Sequence, residues 1–222
     1  MRAAVDLDLS TALALPIAGG RRFYVSTVKR VVDVVLATLV LCATLPLWFF
    51  IAVAIKLDSP GPILFIQERV GLGGRPFRFI KFRSMTADAE SRRAELAHRN
   101  EVDGPVFKIR NDPRSTRIGR WLRRTSLDEL PQLINVLLGE MTLVGPRPPL
   151  PSEVAQYRPE DHLRLTVKPG LTCLWVIRGR SHLSFEDWMA ADREYIQRLS
   201  FWLDLTILVR TVSLALSGRG AY

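Results

Sequence analysis

Two adjacent carboxylates, Asp128 and Glu129, follow the most basic stretch of this sequence. Between Lys108 and Arg124 there are seven cationic side chains and a single acid, Asp112. A cationic environment favours ionised carboxylates and attracts phosphate groups. A carboxylate among phosphate-binding arginines can attack phosphorus, bind the metal that accompanies a diphosphate, or act as a base. The pair is therefore the first candidate for chemistry in this chain.

The same two acids also suit the start of a helix. Pro131 is poorly tolerated inside a helix but fits its first turn, so the sequence predicts a helix that begins near Asp128. Asp128 would then be the N-cap and Glu129 an acid of the first turn. The local pattern leaves the catalytic and the capping interpretations open, and the two roles are compatible.

Several cations elsewhere in the chain are candidate phosphate ligands. Lys81 and Arg83 share one face of a strand-like run by its period of two. Arg147 stands between two prolines, so its backbone loses little entropy when the guanidinium binds an anion. A further set of arginines recurs every three residues along one side of a helix or turn, and comprises Arg114, Arg117, Arg120 and Arg123, with Arg124 beside it. Each group can equally be a solvated surface.

Composition limits the classes of partner. The 222 residues carry a net charge of +9 with a pI near 10.2, which indicates an anionic partner such as a membrane surface, a nucleic acid or a phosphorylated substrate. The two cysteines, Cys42 and Cys173, form neither a disulfide framework nor a zinc motif. A reducing, cytoplasmic compartment is therefore expected.

An apolar segment near the N-terminus predicts contact with a membrane. Residues 34–55 are 22 residues without a charge, and a straight helix of that length covers about 33 Å, enough to cross a bilayer. Pro46 lies in the middle of the run, and 26 of the 31 Lys and Arg residues follow it while four more flank its N-terminal side. Because basic flanks favour the cytoplasm, a re-entrant helix broken at Pro46 is preferred over a simple crossing.

The remaining pattern predicts an α+β fold that is mainly helical. A glycine-rich turn at 71–74 joins strand-like runs at 63–70 and 76–83 into a small β-hairpin. Polar, amphipathic or interfacial helices are expected from Thr86 to about Asn100, from a cap at Ser184 to about Leu199, and over residues 201–216. The predicted organisation is a variable lead-in at 1–28, the re-entrant helix at 29–58, and a membrane-associated catalytic domain at 59–222, whose helices surround a basic active site.

With these motifs in order, residues 29–222 resemble the bacterial sugar transferase family, the monotopic polyprenyl-phosphate phosphoglycosyl transferases. The motifs that carry the resemblance are Lys29-Arg30 with Asp33, Lys81-Phe-Arg-Ser-Met85, Asp112-Pro-Arg114, Arg123-Arg-Thr-Ser-Leu-Asp-Glu-Leu-Pro-Gln-Leu133, Leu143-Val-Gly-Pro-Arg-Pro148, Lys168-Pro-Gly-Leu-Thr172 and Gly220-Ala-Tyr222. The chain departs from the family pattern at Cys173 and Val176, where glycine and glutamine are usual.

The resemblance implies transfer of a sugar 1-phosphate from a UDP sugar to a polyprenyl phosphate, giving a polyprenyl diphosphate sugar and UMP. Asp128 would be the nucleophile, Glu129 would assist it, and both would hold Mg²⁺. The implied phosphate ligands are Lys81, Arg83, Arg114, Arg123, Arg124 and Arg147. The implied location is the cytoplasmic face of the bacterial inner membrane, with membrane lipid as a partner, no nucleic acid, and a homodimer as a candidate assembly.

Two other functions use the same features. A membrane-anchored basic module could bind acidic lipid or nucleic acid without catalysis, although such binding does not require an Asp-Glu pair beside the arginines. A lipid diphosphate phosphohydrolase could use the same carboxylates. The products distinguish them, since UMP indicates the transferase, inorganic phosphate the hydrolase, and neither the binding module.

Overall fold

The computed structural model describes residues 24–179 and 183–217. Most of the predicted lead-in, residues 180–182 and the family-like ending at 220–222 lie outside this part of the chain. The elements are a π-helical turn at Tyr24–Val28, α1 Lys29–Asp58, β1 Leu64–Val70, β2 Pro76–Phe82, α2 Arg117–Thr125, α3 Gln132–Leu138, β3 Thr142–Val144, α4 Pro151–Val154, β4 Gly170–Thr172, α5 Phe185–Arg198 and α6 Phe201–Ser217. Helix-rich content with two small sheets confirms the α+β class.

Helix α1 is the apolar segment, and it continues through Pro46 rather than ending there. With the preceding π-helical turn it forms a 35-residue helical segment whose most apolar 18-residue window has a mean hydropathy of 2.4, so by length and composition it could cross a membrane. Pro46 has no N–H to donate to the preceding turn. The Thr44 hydroxyl donates to the carbonyl of Val40 at 2.7 Å, a contact that often accompanies a bent helix.

The N-terminal end of α1 is fixed to the globular part by buried polar contacts. Lys29 pairs with Asp204 of α6 and donates to the carbonyl of Val144 at 2.9 Å. Asp33 accepts from the Thr142 hydroxyl at 2.5 Å, and so joins this helix to β3. These polar groups are satisfied inside the protein, which is what burial of charged side chains requires.

The C-terminal end of α1 contacts the same globular part. Ile51 and Ile55 are buried against Phe82 of the hairpin and Leu122 of α2. Asp58 accepts a 2.9 Å hydrogen bond from the backbone N–H of Ile118. Both ends of the apolar helix are therefore anchored to one domain.

The β-hairpin has the predicted position and an antiparallel register. Phe65 stands opposite Lys81, and Arg69 stands opposite Phe77. Since opposed residues project to the same side of a sheet, Arg69 and Lys81 share one face of the hairpin. Phe77 and Phe79 enter the main apolar core, which fixes the hairpin against α3.

A second, two-stranded parallel sheet holds the loop that contains Arg147. Strands β3 and β4 pair through Thr142 with Gly170 and Val144 with Thr172. A Cβ atom on Gly170 would lie 2.0 Å from the backbone nitrogen of Gly145, so only glycine permits this approach. The strands, α3, α5 and α6 surround a core that includes Leu133, Val136, Met141, Leu143, Tyr195 and Ile207.

Two of the helical predictions have different outcomes. Ser184 caps α5 by accepting from the N–H of Asp187, as its sequence predicts. The prediction of a helix from Thr86 to about Asn100 is wrong, because that segment consists of turns and the 3-10 helices Ser91–Arg93 and Ala97–Arg99. Its charged sequence supplies no apolar stripe that would stabilise a longer helix by packing.

Candidate active site

Asp128 lies in a short 3-10 helix, Leu127–Glu129, between α2 and α3. The preceding Ser126 adopts a left-handed conformation with φ of 58°, which ends α2 and reverses the chain. Leu127 and Leu130 pack into the apolar clusters on either side and draw the intervening backbone inward. The Asp128 carboxylate is consequently only 6% exposed.

The prediction that Asp128 caps a helix is wrong. Helix α3 begins after Pro131, and the cap position makes no side-chain hydrogen bond. The acids precede the helix by a full turn because Pro131 follows the 3-10 helix and occupies the cap itself. A buried carboxylate that does not cap the helix requires another explanation, and the charges around it supply one.

Three cations surround Asp128. Burial and the neighbouring Glu129 raise the pKa of Asp128 to about 6, while Lys81, Arg123 and Arg147 act in the opposite direction. The group is ionised at neutral pH and yet remains close to protonation. A desolvated carboxylate beside cations is suited to attack an electrophile that brings its own negative charge.

Glu129 is joined to Arg147 across the site. Arg147 Nη1 donates to Glu129 Oε1 at 3.0 Å, and both side chains are partly exposed. The Glu129 charge raises the pKa of Arg147. The pair holds a partly exposed guanidinium near enough to act on the pKa of Asp128, and such a guanidinium can bind an anion bidentately.

Lys81 and Arg123 approach the carboxylates from two other elements. Lys81 lies on β2 with its ammonium 5.1 Å from the centre of the Phe65 ring. Loss of surrounding water lowers the pKa of Lys81 to about 8, against the attraction of Asp128. Arg123, in the last turn of α2, donates to the Ser115 hydroxyl at 3.1 Å. Arg124, its neighbour, is exposed.

Two of the arginines predicted to bind phosphate instead bind oxygen atoms of the protein. Arg83 is buried and donates to the carbonyls of Ser59 and Pro60, just after the end of α1, at 2.7 and 2.6 Å. Arg114 is buried in a two-bond ion pair with Asp112. The structure brings neither guanidinium to the carboxylate pair, because each finds oxygen acceptors within its own part of the fold.

Two cations were not identified as candidates from the sequence. Arg69 donates to the carbonyl of Pro148 at 3.0 Å, and burial together with Arg147 lowers its pKa to about 10. Burial, Arg147 and Arg123 lower the pKa of Lys108 to about 8. The hairpin pattern contained a signal for Arg69, because pairing the two strands places it on the Lys81 face. No periodicity marks Lys108.

The two carboxylates suit a metal ion whose remaining coordination positions are filled by substrate and water. Within residues 24–179 and 183–217, no group of three or more His, Cys, Asp or Glu side chains could hold an ion alone. Asp128 and Glu129 supply two adjacent carboxylates. Mg²⁺ typically takes one or two carboxylates and fills its remaining positions with water and substrate phosphates. The two acids fit that requirement once a diphosphate is present.

Comparison with known proteins identifies the family. The sequence profile described as Bacterial sugar transferase matches residues 24–218, nearly the whole chain. The chain belongs to the bacterial sugar transferase family. Its Asp128-Glu129 pair, Arg147 loop and apolar N-terminal helix all lie inside the matched region.

Relatives in the family differ in length. The chain is 43% identical over 196 residues to the Galactosyl transferase CpsE of Streptococcus agalactiae, covering 87% of this chain and 43% of that protein. The UDP-galactose-lipid carrier transferase of Erwinia amylovora is 41% identical over 199 residues, covering 87% and 41%. The UDP-glucose:undecaprenyl-phosphate glucose-1-phosphate transferase of Caulobacter vibrioides is 45% identical over 230 residues, covering 98% and 81%. The chain thus spans about two fifths of the first two relatives.

Cys173 and Val176, where the resemblance leads us to expect a departure from the family pattern, lie beside and within a 3-10 helix that follows β4. Cys173 is buried, and burial raises the pKa of its thiol well above the ordinary range. The adjacent 3-10 helix Leu174–Ile177 contains Trp175, which stacks on Trp188 with ring centres 4.9 Å apart. Cys173 and Val176 therefore contribute to the packing of this second apolar cluster.

Proposed function

We propose that this chain transfers a sugar 1-phosphate from a UDP sugar to a polyprenyl phosphate, giving a polyprenyl diphosphate sugar and UMP. The observation that carries the proposal is the buried Asp128 carboxylate, which faces Lys81, Arg123 and Arg147. Several relatives are named as transferases that use undecaprenyl phosphate as acceptor, which supports the same substrates. The reaction would be the first membrane step in assembling an exopolysaccharide or another glycoconjugate.

The reaction has two displacements at one phosphorus atom. In the first, an Asp128 oxygen attacks the phosphorus that bears the sugar, and the bond to the bridging oxygen of the diphosphate breaks. UMP leaves with that oxygen and its electron pair, and the sugar phosphate remains on Asp128 as an acyl phosphate. In the second, an oxygen of the polyprenyl phosphate attacks the same phosphorus and releases the Asp128 carboxylate. Each step exchanges one P–O bond for another, so no external reductant or oxidant is required.

The surrounding side chains stabilise charge in both steps. Arg147 is held by Glu129 and is partly exposed, so it can bind the diphosphate of the donor and later the phosphate of the acceptor. Lys81 and Arg123 neutralise charge beside the reacting oxygen. Arg124 is an exposed candidate for the outer phosphate. Fixed cations in a dry site cost little reorganisation when charge moves to the leaving oxygen.

We assign Asp128 and Glu129 as the carboxylates that would hold Mg²⁺ with the substrate diphosphate. The ion would supply neutralisation of the diphosphate oxygens and so weaken their repulsion of Asp128. Glu129 also orients Arg147, which leaves Asp128 as the group nearest to the reacting phosphorus.

The re-entrant arrangement of α1 also belongs to the proposal. Lys29 and Asp33 at one end, and Ile55 and Asp58 at the other, all contact the same globular domain. A helix that crossed the membrane would place its ends on opposite sides, and one domain could not contact both. With the basic flanks, these contacts support residence on the cytoplasmic face of the inner membrane. The exposed apolar side chains of α1 and α6 suit contact with lipid, and include Leu39, Phe49, Phe50, Trp202 and Val209.

The deciding experiment measures UMP released from a panel of UDP sugars, with undecaprenyl phosphate as acceptor and the purified chain in detergent or lipid nanodiscs. The proposal predicts UMP and a lipid-linked sugar diphosphate in equal amounts for at least one sugar. Inorganic phosphate as the only product would identify a hydrolase instead. Absence of both products, with binding to acidic vesicles, would leave a binding module.

A further inference from the structure

The loop at residues 145–149 has few hydrogen-bond donors of its own. Pro146, Pro148 and Pro149 have no backbone N–H, so three of the five residues cannot donate to a turn or a strand. Gly145 N donates to Thr172 O of β4 at 2.9 Å and ties the start of the loop to that strand. Its position depends on donors that reach its carbonyl oxygens from elsewhere, since buried carbonyls are nearly always paired. Arg147, whose guanidinium contacts Glu129, is carried by this loop.

Four successive carbonyls of the loop each accept a hydrogen bond from a different part of the fold. Pro146 O accepts from Gly170 N at 2.9 Å, Arg147 O from Arg164 Nη2 at 2.8 Å, Pro148 O from Arg69 Nη1 at 3.0 Å, and Pro149 O from Val70 N at 2.9 Å. Two of these donors are backbone groups of β1 and β4. The other two are guanidinium groups, which can be changed by substitution without altering the strands.

Arg164 is the donor that holds the carbonyl of Arg147 itself. It is buried, and its Nη1 donates to the Tyr157 hydroxyl at 2.7 Å. Its Nη2 also lies 2.9 Å from Asp192 Oδ2, in an ion pair that lacks the alignment of a hydrogen bond. Asp192, on α5, is 1% exposed. A charge pair this deeply buried costs desolvation free energy, and it is often no better for stability than apolar residues of the same size. Stability alone therefore does not account for the pair, whereas its contact with the Arg147 carbonyl gives it a geometric role.

We propose that Arg164 and Asp192 form a positioning pair that sets the place of Arg147 for binding the substrate diphosphate. Asp192 attracts the Arg164 guanidinium by its charge, Arg164 donates to the Arg147 carbonyl, and the Arg147 side chain projects from that backbone to Glu129. Neither member of the pair touches the reacting groups. This inference rests on the proposed function, because it assigns the pair to the anion site of that reaction.

The test is a double-mutant cycle between Arg164 and Arg147. Arg164→Lys keeps the charge but loses the forked donors, and we expect the kcat/KM for UMP release to fall between about tenfold and a hundredfold, as for a displaced binding group. In an Arg147→Lys background the same change should cost less than about twofold, because its effect passes through Arg147. Parent-like kinetics of Arg164→Lys, or equal losses in both backgrounds, would overturn the proposal.

Two further variants keep the test informative. Tyr157→Phe removes a different hydrogen-bond partner of Arg164 and should change kcat/KM by less than about threefold. A loss as large as that of Arg164→Lys would mean general packing damage. If Arg164→Lys does not fold, Asp192→Asn takes its place. Its loss of kcat/KM should likewise be much smaller in the Arg147→Lys background than in the parent. Thermal unfolding curves establish folding for each variant.

A binding measurement distinguishes failure of this inference from failure of the proposed function. Inorganic diphosphate with Mg²⁺ is titrated into the parent and the variants by calorimetry. Weaker binding in Arg164→Lys, with no further loss in the Arg147→Lys background, supports the positioning pair whether or not any UDP sugar is turned over. Unchanged binding in Arg164→Lys contradicts it. Absence of UMP release from the parent chain would count against the proposed function alone.

Discussion

Arg147 and Glu129, which are 18 positions apart in the sequence, meet through a 3.0 Å hydrogen bond beside the buried Asp128. One comes from the proline-rich loop after β3 and the other from the 3-10 helix before α3. The contact makes Glu129 an orienting group for the guanidinium as well as a metal ligand in our proposal. Its loss should therefore affect anion binding as well as chemistry.

Glu129→Gln keeps the shape of the side chain and removes the charge that holds Arg147. We expect kcat/KM to fall by about 10² to 10³, the range found when one preorganised electrostatic partner is lost from an active site. Arg147→Lys should cause a fall of similar order because lysine cannot bind bidentately. Arg78→Lys, at an exposed position on the face of β2 opposite Lys81, serves as the control and should cost far less. Equal losses in all three variants would contradict a specific role for the pair.

The pH dependence of the first step should be bell-shaped. Asp128 must be ionised to attack, so the rate of UMP formation should rise as pH increases through about 6. Lys81 must be protonated to neutralise the diphosphate, so the rate should fall as pH increases through about 8. Single-turnover experiments without the lipid acceptor avoid titration of the polyprenyl phosphate, whose second pKa lies near 6.

A charge-preserving substitution tests whether Lys81 causes the fall in rate at high pH, the upper limb of the pH profile. Lys81→Arg should move the upper limb to higher pH, since arginine remains protonated throughout the range. A lower limb near 4, the ordinary pKa of an aspartate, would contradict the burial of Asp128 as the controlling influence.

We expect the reaction to depend on a divalent metal ion. Exhaustive chelation with EDTA should abolish UMP release, and excess Mg²⁺ should restore it, because the diphosphate adds negative charge next to Asp128 and Glu129. Binding of UDP sugar should weaken under the same conditions. Full turnover after chelation would refute the metal assignment and leave neutralisation of the diphosphate to cationic side chains such as Arg147, Lys81 and Arg123.

Topology can be tested through single cysteines near positions 22 and 90, in a background that lacks Cys42 and Cys173. With both ends of α1 in the cytoplasm, neither position should react with a membrane-impermeant thiol reagent in intact cells. Pro46→Leu should straighten the helix and expose the first position to the outside. Labelling at position 22 in the otherwise native chain would show that the segment spans.

The sequence predicted elements whose signals are local. The turn at 71–74 predicted the position of the hairpin, the Ser184 cap predicted the start of α5, and the apolar runs predicted α1 and α6. These features depend on a few neighbouring residues, so they could be read in order along the chain.

The partners of the arginines could not be read in this way. Arg83 and Arg147 have the same chemistry, yet one binds carbonyls after the end of α1 and the other binds Glu129. Which acceptor a guanidinium finds depends on how distant elements pack, and no local spacing records that. The burial of Asp128 has the same origin, because it follows from where Leu127 and Leu130 enter the core.

Asp128→Asn separates catalysis from stability. The raised pKa means that the ionised carboxylate destabilises the folded chain, an effect present in full above a pH of about 6 and lost as the pH falls towards the unfolded value near 4. Asp128→Asn should therefore have a Tm at pH 7.5 that is equal to or above that of the parent, with a smaller difference at pH 4.5. Its turnover should be abolished. A large drop in Tm would indicate a structural carboxylate instead.

The covalent step is tested most directly by isolating the intermediate. The parent chain is mixed with Mg²⁺ and a UDP sugar that it is known to use, in the absence of the lipid acceptor. The mixture is then quenched, digested and analysed by mass spectrometry. We predict a sugar phosphate adduct on the peptide that contains Asp128, its release on addition of undecaprenyl phosphate, and no adduct in Asp128→Asn. Steady UMP release by the parent with no adduct under these conditions, or an adduct on another residue, would contradict Asp128 as the nucleophile.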